Sequence, residues 1–94
     1  TIEGLKKFVL IGDAREGQLL KAKFDLQADE INSIHIHWYQ RQGDGPWKLV
    51  ADRSEETYRI SEADQGAKVM AVMVVTTSDG DVRRVSSNVI GPIQ

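Results

Sequence analysis

The sequence predicts an all-β fold, a Greek-key sandwich of seven short strands. Turn-forming residues recur about every eight to twelve residues, which is the spacing of a sandwich rather than of a helical protein. Apolar and polar residues alternate between these turns, and no stretch has the period of an amphipathic helix. The chain has 94 residues, a length that supports one hydrophobic core. We therefore expect residues 1–94 to form a single domain.

Two strands near the start of the chain are defined by turns and by alternation. Residues 6–11 predict a first strand, which the turn-forming pair Gly12 and Asp13 ends. Residues 18–26 predict a second strand with Lys21, Lys23 and Asp25 on one face, so the other face turns to the core. The expected inward residues of this strand are Leu20, Ala22, Phe24 and Leu26.

The third strand has an aromatic residue at its centre. Residues 33–41 alternate again, and their more apolar face contains Ile34, Ile36 and Trp38. We expect this face to pack inward because it includes the largest apolar side chain of the segment. The outward residues are then His35, His37, Tyr39 and Arg41.

Two short strands and one helical turn follow. The Gly-Asp-Gly-Pro sequence at 43–46 predicts a turn, because glycine accepts positive φ and proline has no N–H for a ladder. Short strands are expected at 47–50 and at 56–60. Ser61 and Asp64 have the spacing of a capping box, which predicts a single helical turn where the chain crosses between sheets.

The sixth strand, at 67–77, is the longest and is apolar at both parities. Such a strand is either central and covered, or faces a partner. Two registers are open, one with Val69 and Ala71 inward and one with Met70 inward. Residues 82–90 predict the last strand. The expected core residues are Phe24, Trp38, Tyr58, Val69 and Ala71.

The composition is that of an ordinary globular domain and excludes several classes of function. The chain has 12 basic and 14 acidic residues, interleaved along its length, so we expect no nucleic-acid partner. Its longest apolar run, at 69–75, is much shorter than the about 20 residues that span a bilayer, so we expect no membrane insertion. It has no cysteine, which excludes a disulfide, a zinc ribbon and a thiol nucleophile.

Four short motifs resemble an immunoglobulin-like repeat. They are Gly-Gln-Leu-Leu at 17–20, Trp-Tyr-Gln-Arg at 38–41, Tyr-Arg-Ile at 58–60 and Ala-Asp-Gln-Gly at 63–66. Such repeats occur in tandem in large bacterial surface proteins and in a plant and protozoan microtubule-associated protein described as auxin-induced in roots. The resemblance covers nearly the whole chain. The inter-sheet cysteines of antibody-type domains are absent, so apolar residues such as Phe24, Met70 or Ala71 must fill the space beside Trp38.

The resemblance implies a non-catalytic, immunoglobulin-like module for structure and protein contact, such as part of an adhesin stalk or of a cytoskeleton-associated protein. Its partners would be other proteins or neighbouring repeats, with no cofactor, at a bacterial cell surface or on a eukaryotic cytoskeleton. The repeat pattern favours the register with Val69 and Ala71 inward. Because the chain begins at Thr1 without a leader, we expect one module of a longer repeat protein. Its two ends should lie at opposite ends of the sandwich.

No pattern in the sequence predicts a catalytic site or a metal site. None of the serines lies in a Gly-x-Ser-x-Gly elbow, so we expect no enzyme. His35 and His37 share a strand face about 7 Å apart, but no cysteine or third histidine completes a zinc site. Calcium at domain joints is an alternative, yet Asp13, Asp79 and Asp81 lack the spacing of a calcium loop.

The best candidate for a functional surface is the outward face of the third and sixth strands, with one residue of the last strand. It combines aromatic, arginine and apolar side chains, the composition of protein contact surfaces. Contact with another stretch of the same protein and plain solvent exposure are the alternatives. A carbohydrate- or metal-binding module is the alternative function, with Trp47 as a sugar platform. The predicted interaction face comprises His35, His37, Tyr39, Arg41 and Arg84, backed by Met70, Val72 and Val74.

Overall fold

The computed structural model describes residues 5–26, 31–51 and 56–94, and seven β-strands account for most of them. The predicted all-β chain of seven strands is confirmed. Within these ranges, no helix has the length and apolar character needed to cross a membrane. The strands are β1 (Leu5–Ile11), β2 (Leu19–Leu26), β3 (Ile31–Arg41), β4 (Lys48–Ala51), β5 (Thr57–Arg59), β6 (Lys68–Thr77) and β7 (Val82–Ser86), with a 3₁₀ turn at Glu62–Asp64.

The strands form two antiparallel sheets. The three-stranded sheet has the order β1-β2-β5, and the four-stranded sheet has the order β4-β3-β6-β7. The chain crosses between the sheets after β2, after β4 and after β5. Residues of both sheets form one buried cluster, so the sheets pack face to face and each keeps one face toward solvent.

The second strand shows how the sequence produces this layering. Leu20 and Ala22 are buried, whereas the lysines beside them are exposed. Successive side chains of a strand point to opposite faces, so the two-residue period places the lysines in solvent and the apolar residues in the core. Phe24 and Leu26, the other residues predicted to face inward, are half-buried and pack against the core.

The core is centred on Trp38. Its side chain is 0% exposed, and its ring stacks on the ring of Tyr58 with 5.4 Å between centroids. Ala71 lies directly opposite on β6, and a small residue beside a large one lets the layers interdigitate. Of the residues predicted for the core, Trp38, Val69 and Ala71 are fully buried, and Phe24 and Tyr58 are half-buried against it.

The sixth strand is apolar at both parities, and one parity faces the core. Its buried residues alternate with half-buried ones along the strand. The register with Met70 inward is therefore excluded, because Met70 is one of the half-buried residues on the solvent side. The inward residues of β6 are Val69, Ala71, Met73 and Val75.

A buried carboxylate, Asp64, organises the 3₁₀ turn. Only 1% of its surface is exposed. It accepts hydrogen bonds from the Tyr58 hydroxyl at 2.8 Å, from the Ser61 backbone N–H at 2.9 Å and from the side-chain amide of Gln40. The bond from Ser61 is one half of the predicted capping box. We call Gln40, Tyr58, Ser61 and Asp64 the Asp64 corner. It joins three elements, because Gln40 belongs to β3, Tyr58 to β5 and Asp64 to the turn.

The last strand, β7, ends at Ser86, four residues before its predicted end. Beyond Ser86, the Ser87 N–H still donates to the Ala71 carbonyl at 2.8 Å, and side chains provide further bonds. The Ser87 hydroxyl accepts a bond from a β6 N–H at 2.9 Å, and the Asn88 side-chain oxygen accepts one from the Leu10 N–H of β1 at 2.7 Å. Pairing with β6 resumes at Ile90 as an isolated bridge. The other strand limits agree with the predicted ones or differ by one or two residues.

The two ends of the described chain lie at opposite ends of the sandwich. At one end, the Gln94 N–H donates to the Ala14 carbonyl at 2.8 Å, and the Glu16 N–H donates to the Gln94 carbonyl at 3.1 Å. At the other end, Leu5 begins β1 and packs beside the cluster around Met73. The strand β1 runs from the Leu5 end of the sandwich toward the Gln94 end. The molecule measures 41 by 23 by 19 Å.

Candidate interaction face

The predicted interaction residues lie together on the solvent side of the four-stranded sheet. Alternate residues of a strand share a face, and residues paired across strands share it with them. His35 is opposite Val74, which is opposite Arg84, so these three residues form one row across the sheet. His37 is opposite Val72 in the next row. We define the outer sheet face as His35, His37, Tyr39, Arg41, Lys68, Met70, Val72, Val74 and Arg84.

The centre of the outer sheet face is an apolar stripe on β6. Met70, Val72 and Val74 are half-buried there, because β6 lies between β3 and β7 and neighbouring side chains cover part of the stripe. Apolar side chains continue to the edge strands, where Leu49 is 50% exposed and Val82 is 43% exposed. Leu49 is paired with Tyr39 and Val82 with Thr76, and both pairs lie on the solvent side of the sheet. Contiguous exposed apolar surface of this kind marks contact sites.

The two histidines of the face are stacked. Their ring centroids are 6.4 Å apart with an angle of 30° between the planes. The Nδ1 atom of His37 is enclosed and has no hydrogen-bond partner among the described residues. In the same part of the chain, no group of three histidine or acidic residues is placed to hold a metal ion. The described ranges therefore do not bring to this pair the further ligands that a zinc site requires.

The arginines of the face differ in what holds them. Arg41 is anchored, because its Nε donates to the Gly45 carbonyl at 2.8 Å across the turn that follows β3. The side chain of Arg84 is exposed and forms no hydrogen bond or ion pair with another residue in the described ranges. Its guanidinium can therefore donate to a partner, for which a carboxylate has the matching geometry.

The acidic residues named as calcium alternatives are not brought together. The Thr77 hydroxyl donates to the Asp79 carboxylate and accepts from the Asp81 N–H at 3.1 Å. The bond from Thr77 holds the pKa of Asp79 below its usual range. Arg83 lies 3.4 Å from Asp81. These groups organise the turn between β6 and β7, whereas Asp13 follows β1 at the other end of the sandwich.

Other candidate positions lie away from the outer sheet face. Trp47, the proposed sugar platform, is half-buried just before β4. A cavity of about 220 Å³ on the three-stranded sheet has two lysines and a glutamate in its described lining. Its lining residues are Lys21, Ala22, Lys23, Phe24 and Glu56.

The sequence predicts the capping box of Ser61 and Asp64 but not the burial of the Asp64 carboxylate. Burial, and then the hydrogen bond to Asp64 and its charge, raises the pKa of the Tyr58 phenol well above its ordinary value near 10. The phenol therefore remains a neutral donor. The capping-box spacing was the available signal, but it gives no information about Gln40, which approaches from β3. Since donors of the protein engage this carboxylate, its role is structural.

No protein-family model matches the sequence, and no curated protein matches it significantly.

Proposed function

We propose that this chain is a non-catalytic immunoglobulin-like module whose outer sheet face docks a protein. The observation that carries the proposal is the half-buried stripe of Met70, Val72 and Val74, flanked by the histidines of β3 and by the exposed Arg84 of β7. Apolar side chains beside aromatic and arginine groups are the composition in which binding energy concentrates at protein interfaces.

The immunoglobulin-like assignment is supported by strand order and by the core. Strands β2 and β5 pair in one sheet and β3 and β6 in the other, which is the pairing expected of a Greek-key sandwich. Trp38 on the third strand lies between the sheets, as in that family. Its neighbour Ala71 and the stacked ring of Tyr58 occupy positions beside it, so apolar packing takes the place of a disulfide.

The non-catalytic assignment is supported by how the polar groups are used. The carboxylate of Asp64 is engaged by donors from Gln40, Tyr58 and Ser61, so it is not available as a base. His35 and His37 face valines on the neighbouring strand rather than a hydroxyl or a carboxylate. A histidine needs such a neighbour to act as general base toward a nucleophile.

Site-specific photo-cross-linking tests the docking function. A benzoylphenylalanine at position 35 would probe the outer sheet face, and the same residue at position 23 would probe the solvent side of the three-stranded sheet, because His35 and Lys23 are both exposed. In extracts of the source cells, we expect a discrete cross-linked protein from position 35 only. An excess of the unlabelled chain should abolish this cross-linked product by competing for the partner, whereas an excess of the Val74→Lys chain should not.

Besides the absence of a cross-linked protein from position 35, two results would contradict the docking function. One is the same cross-linked proteins from positions 35 and 23, which would indicate random contact. The other is competition by the Val74→Lys chain as strong as by the unaltered chain, which would show that the apolar stripe takes no part. Circular dichroism of the Val74→Lys chain provides the folding control, since this side chain lies on the solvent side of β6.

A further inference from the structure

We infer that the surface recognised by the outer sheet face is an acidic segment of a protein, extended, with apolar side chains between two groups of carboxylates. The inference rests on the proposed docking function and specifies its partner. It follows from where the chain places its charges on the four-stranded sheet.

The described strands of the four-stranded sheet contain no acidic residue. The sequences of β3, β4, β6 and β7 include neither aspartate nor glutamate, although the chain has 14 acidic residues. The same strands contain five basic residues, which are Arg41, Lys48, Lys68, Arg83 and Arg84. The net charge of the whole chain is −2, so the cationic character of this sheet is a local property that total composition conceals.

The cations of the outer sheet face lie at its two ends. Arg41 is directly opposite Lys68 at one end, and Arg84 is opposite Val74 at the other. Positions 68 and 74 are six residues apart on β6, which corresponds to about 20 Å along a strand. Met70 and Val72 lie between them on the same face. The pattern along the strand is therefore cation, apolar stripe, cation.

This arrangement leaves charge that the described chain does not neutralise. Like charges directly opposite across a sheet are destabilising, and Arg41 and Lys68 form such a pair. Within the described ranges, neither residue nor Arg84 forms an ion pair. A ligand with carboxylates at both ends would relieve the repulsion, and its apolar centre would cover the stripe.

Other occupants match this pattern less well. Duplex DNA presents a negative charge about every 1.7 Å of its axis, so three cations spread over about 20 Å would neutralise few phosphates and would leave apolar groups against the others. A second copy bound through the same face would bring Arg41, Lys68 and Arg84 close to their own counterparts. An acidic protein segment satisfies both the charges and the stripe.

Titration of the isotope-labelled 94-residue chain with designed peptides tests the inference. The probe is an extended peptide of about ten residues with glutamates at both ends and leucines in the middle, long enough for the about 20 Å between the cations. The matched peptide has glutamine in place of every glutamate. We expect amide shifts on β3, β6 and β7 with the acidic peptide, binding at least about tenfold weaker with its glutamine counterpart, and weaker binding in high salt.

Charge-removing variants locate the contact. Lys68→Gln and Arg84→Gln should each weaken binding of the acidic peptide by up to about fivefold, the upper range for an exposed ion pair. Lys23→Gln removes the same charge from the solvent side of the other sheet and should leave the affinity unchanged. All three side chains are exposed, so thermal melts should confirm that the variants remain folded.

Several results would overturn the inference. These are no binding of the acidic peptide, equal binding of the glutamine peptide, shifts confined to the three-stranded sheet, a loss caused by Lys23→Gln alone, or tighter binding of duplex DNA at the same face. The proposed function is tested separately. A specific cross-link from position 35 to a protein without an acidic segment would leave docking intact and refute only the acidic partner, whereas absence of the cross-link would refute docking itself.

Discussion

Trp38 is the largest side chain that the fold encloses completely, with 0% of its surface exposed. It contacts both sheets, since it belongs to β3 and stacks on Tyr58 of β5. We predict that Trp38→Ala lowers the free energy of unfolding by about 3–5 kcal/mol, because the truncation removes buried apolar surface and leaves a cavity. Urea denaturation monitored by circular dichroism measures the change.

The second tryptophan provides the matched control for this prediction. Trp47 is half-buried before β4, so Trp47→Ala should cost clearly less than the same truncation at Trp38. A loss below about 1 kcal/mol for Trp38→Ala, far under the range of large core truncations, would mean that the indole does not support the core.

Because of Tyr58, we predict that the free energy of unfolding decreases at alkaline pH. Its pKa is raised in the folded state, first by burial and then by the bond to Asp64, whereas the unfolded value is near 10. The folded state therefore holds the phenolic proton more tightly. This contribution to stability is fully present below about pH 10 and is lost as the pH rises through the folded pKa.

Comparing the wild type with Tyr58→Phe tests this dependence. Between about pH 9 and pH 11, on either side of the ordinary tyrosine pKa, the urea midpoint of the wild type should fall more steeply than that of the variant. Lysine titration contributes equally to both chains, so the difference isolates Tyr58. Parallel curves would show that the phenol is not coupled to Asp64 in solution.

Single residues also show where inference from the sequence stops. The inward position of Trp38 follows from alternation, because a two-residue period fixes the face on which a side chain lies. The inward position of Ala71 does not, because its strand is apolar at both parities and the choice of register comes from the resemblance to the repeat. The burial of Asp64 does not follow from alternation either. It depends on Gln40 and Tyr58 arriving from strands that are distant in sequence, and a local capping pattern contains no information about such partners.

At the scale of strands, Asn88 joins the edges of the two sheets. Its side-chain oxygen accepts a bond from the Leu10 N–H at 2.7 Å, and its amide lies 3.4 Å from the Leu10 carbonyl. We predict that Asn88→Ala destabilises the fold by about 1–2 kcal/mol, because the partly buried backbone groups of Leu10 lose their partner. Hydrogen exchange at the Leu10 amide should become faster.

An exposed asparagine serves as the control for Asn88. Asn32 lies on β3 with its side chain in solvent, so Asn32→Ala should change stability by no more than about 0.5 kcal/mol. Unchanged exchange at Leu10 in the Asn88→Ala chain would mean that β1 is held to the other sheet by packing alone.

The same asparagine explains why the end of β7 is not predictable from the sequence. Residues 82–90 have the composition of a strand, and nothing local indicates that pairing changes after Ser86. The change occurs because the side chains of Ser87 and Asn88 bond to backbone groups of β6 and β1. By contrast, β2 is predicted closely because its sequence alternates with burial along its own length, and the limits of β6 are predicted closely because its apolar run is long and ends at a turn.

At the scale of the whole molecule, the charged residues are distributed unevenly between the sheets and the connections. The four-stranded sheet has basic and no acidic residues in its described strands, whereas the solvent side of the three-stranded sheet presents Asp25 beside Lys21 and Lys23. Several exposed carboxylates, including Asp13, Asp44 and Glu62, occupy the connections instead. Contact between copies through their four-stranded sheets would bring cations together, so electrostatics disfavours that contact.

The shape of the molecule gives the final prediction. Its radius of gyration is 13.7 Å, above the about 12 Å expected for a compact domain of this length, and its long dimension is 41 Å. Leu5 and Gln94 lie at opposite ends, and Gln94 is held there by Ala14 and Glu16. Two copies fused in series should therefore scatter X-rays as an extended particle with a maximum dimension of about 80 Å, roughly twice that of one copy. A maximum dimension near that of the single copy would show that the two sandwiches fold back on each other. This result would contradict the expectation that such modules join end to end in a longer repeat protein.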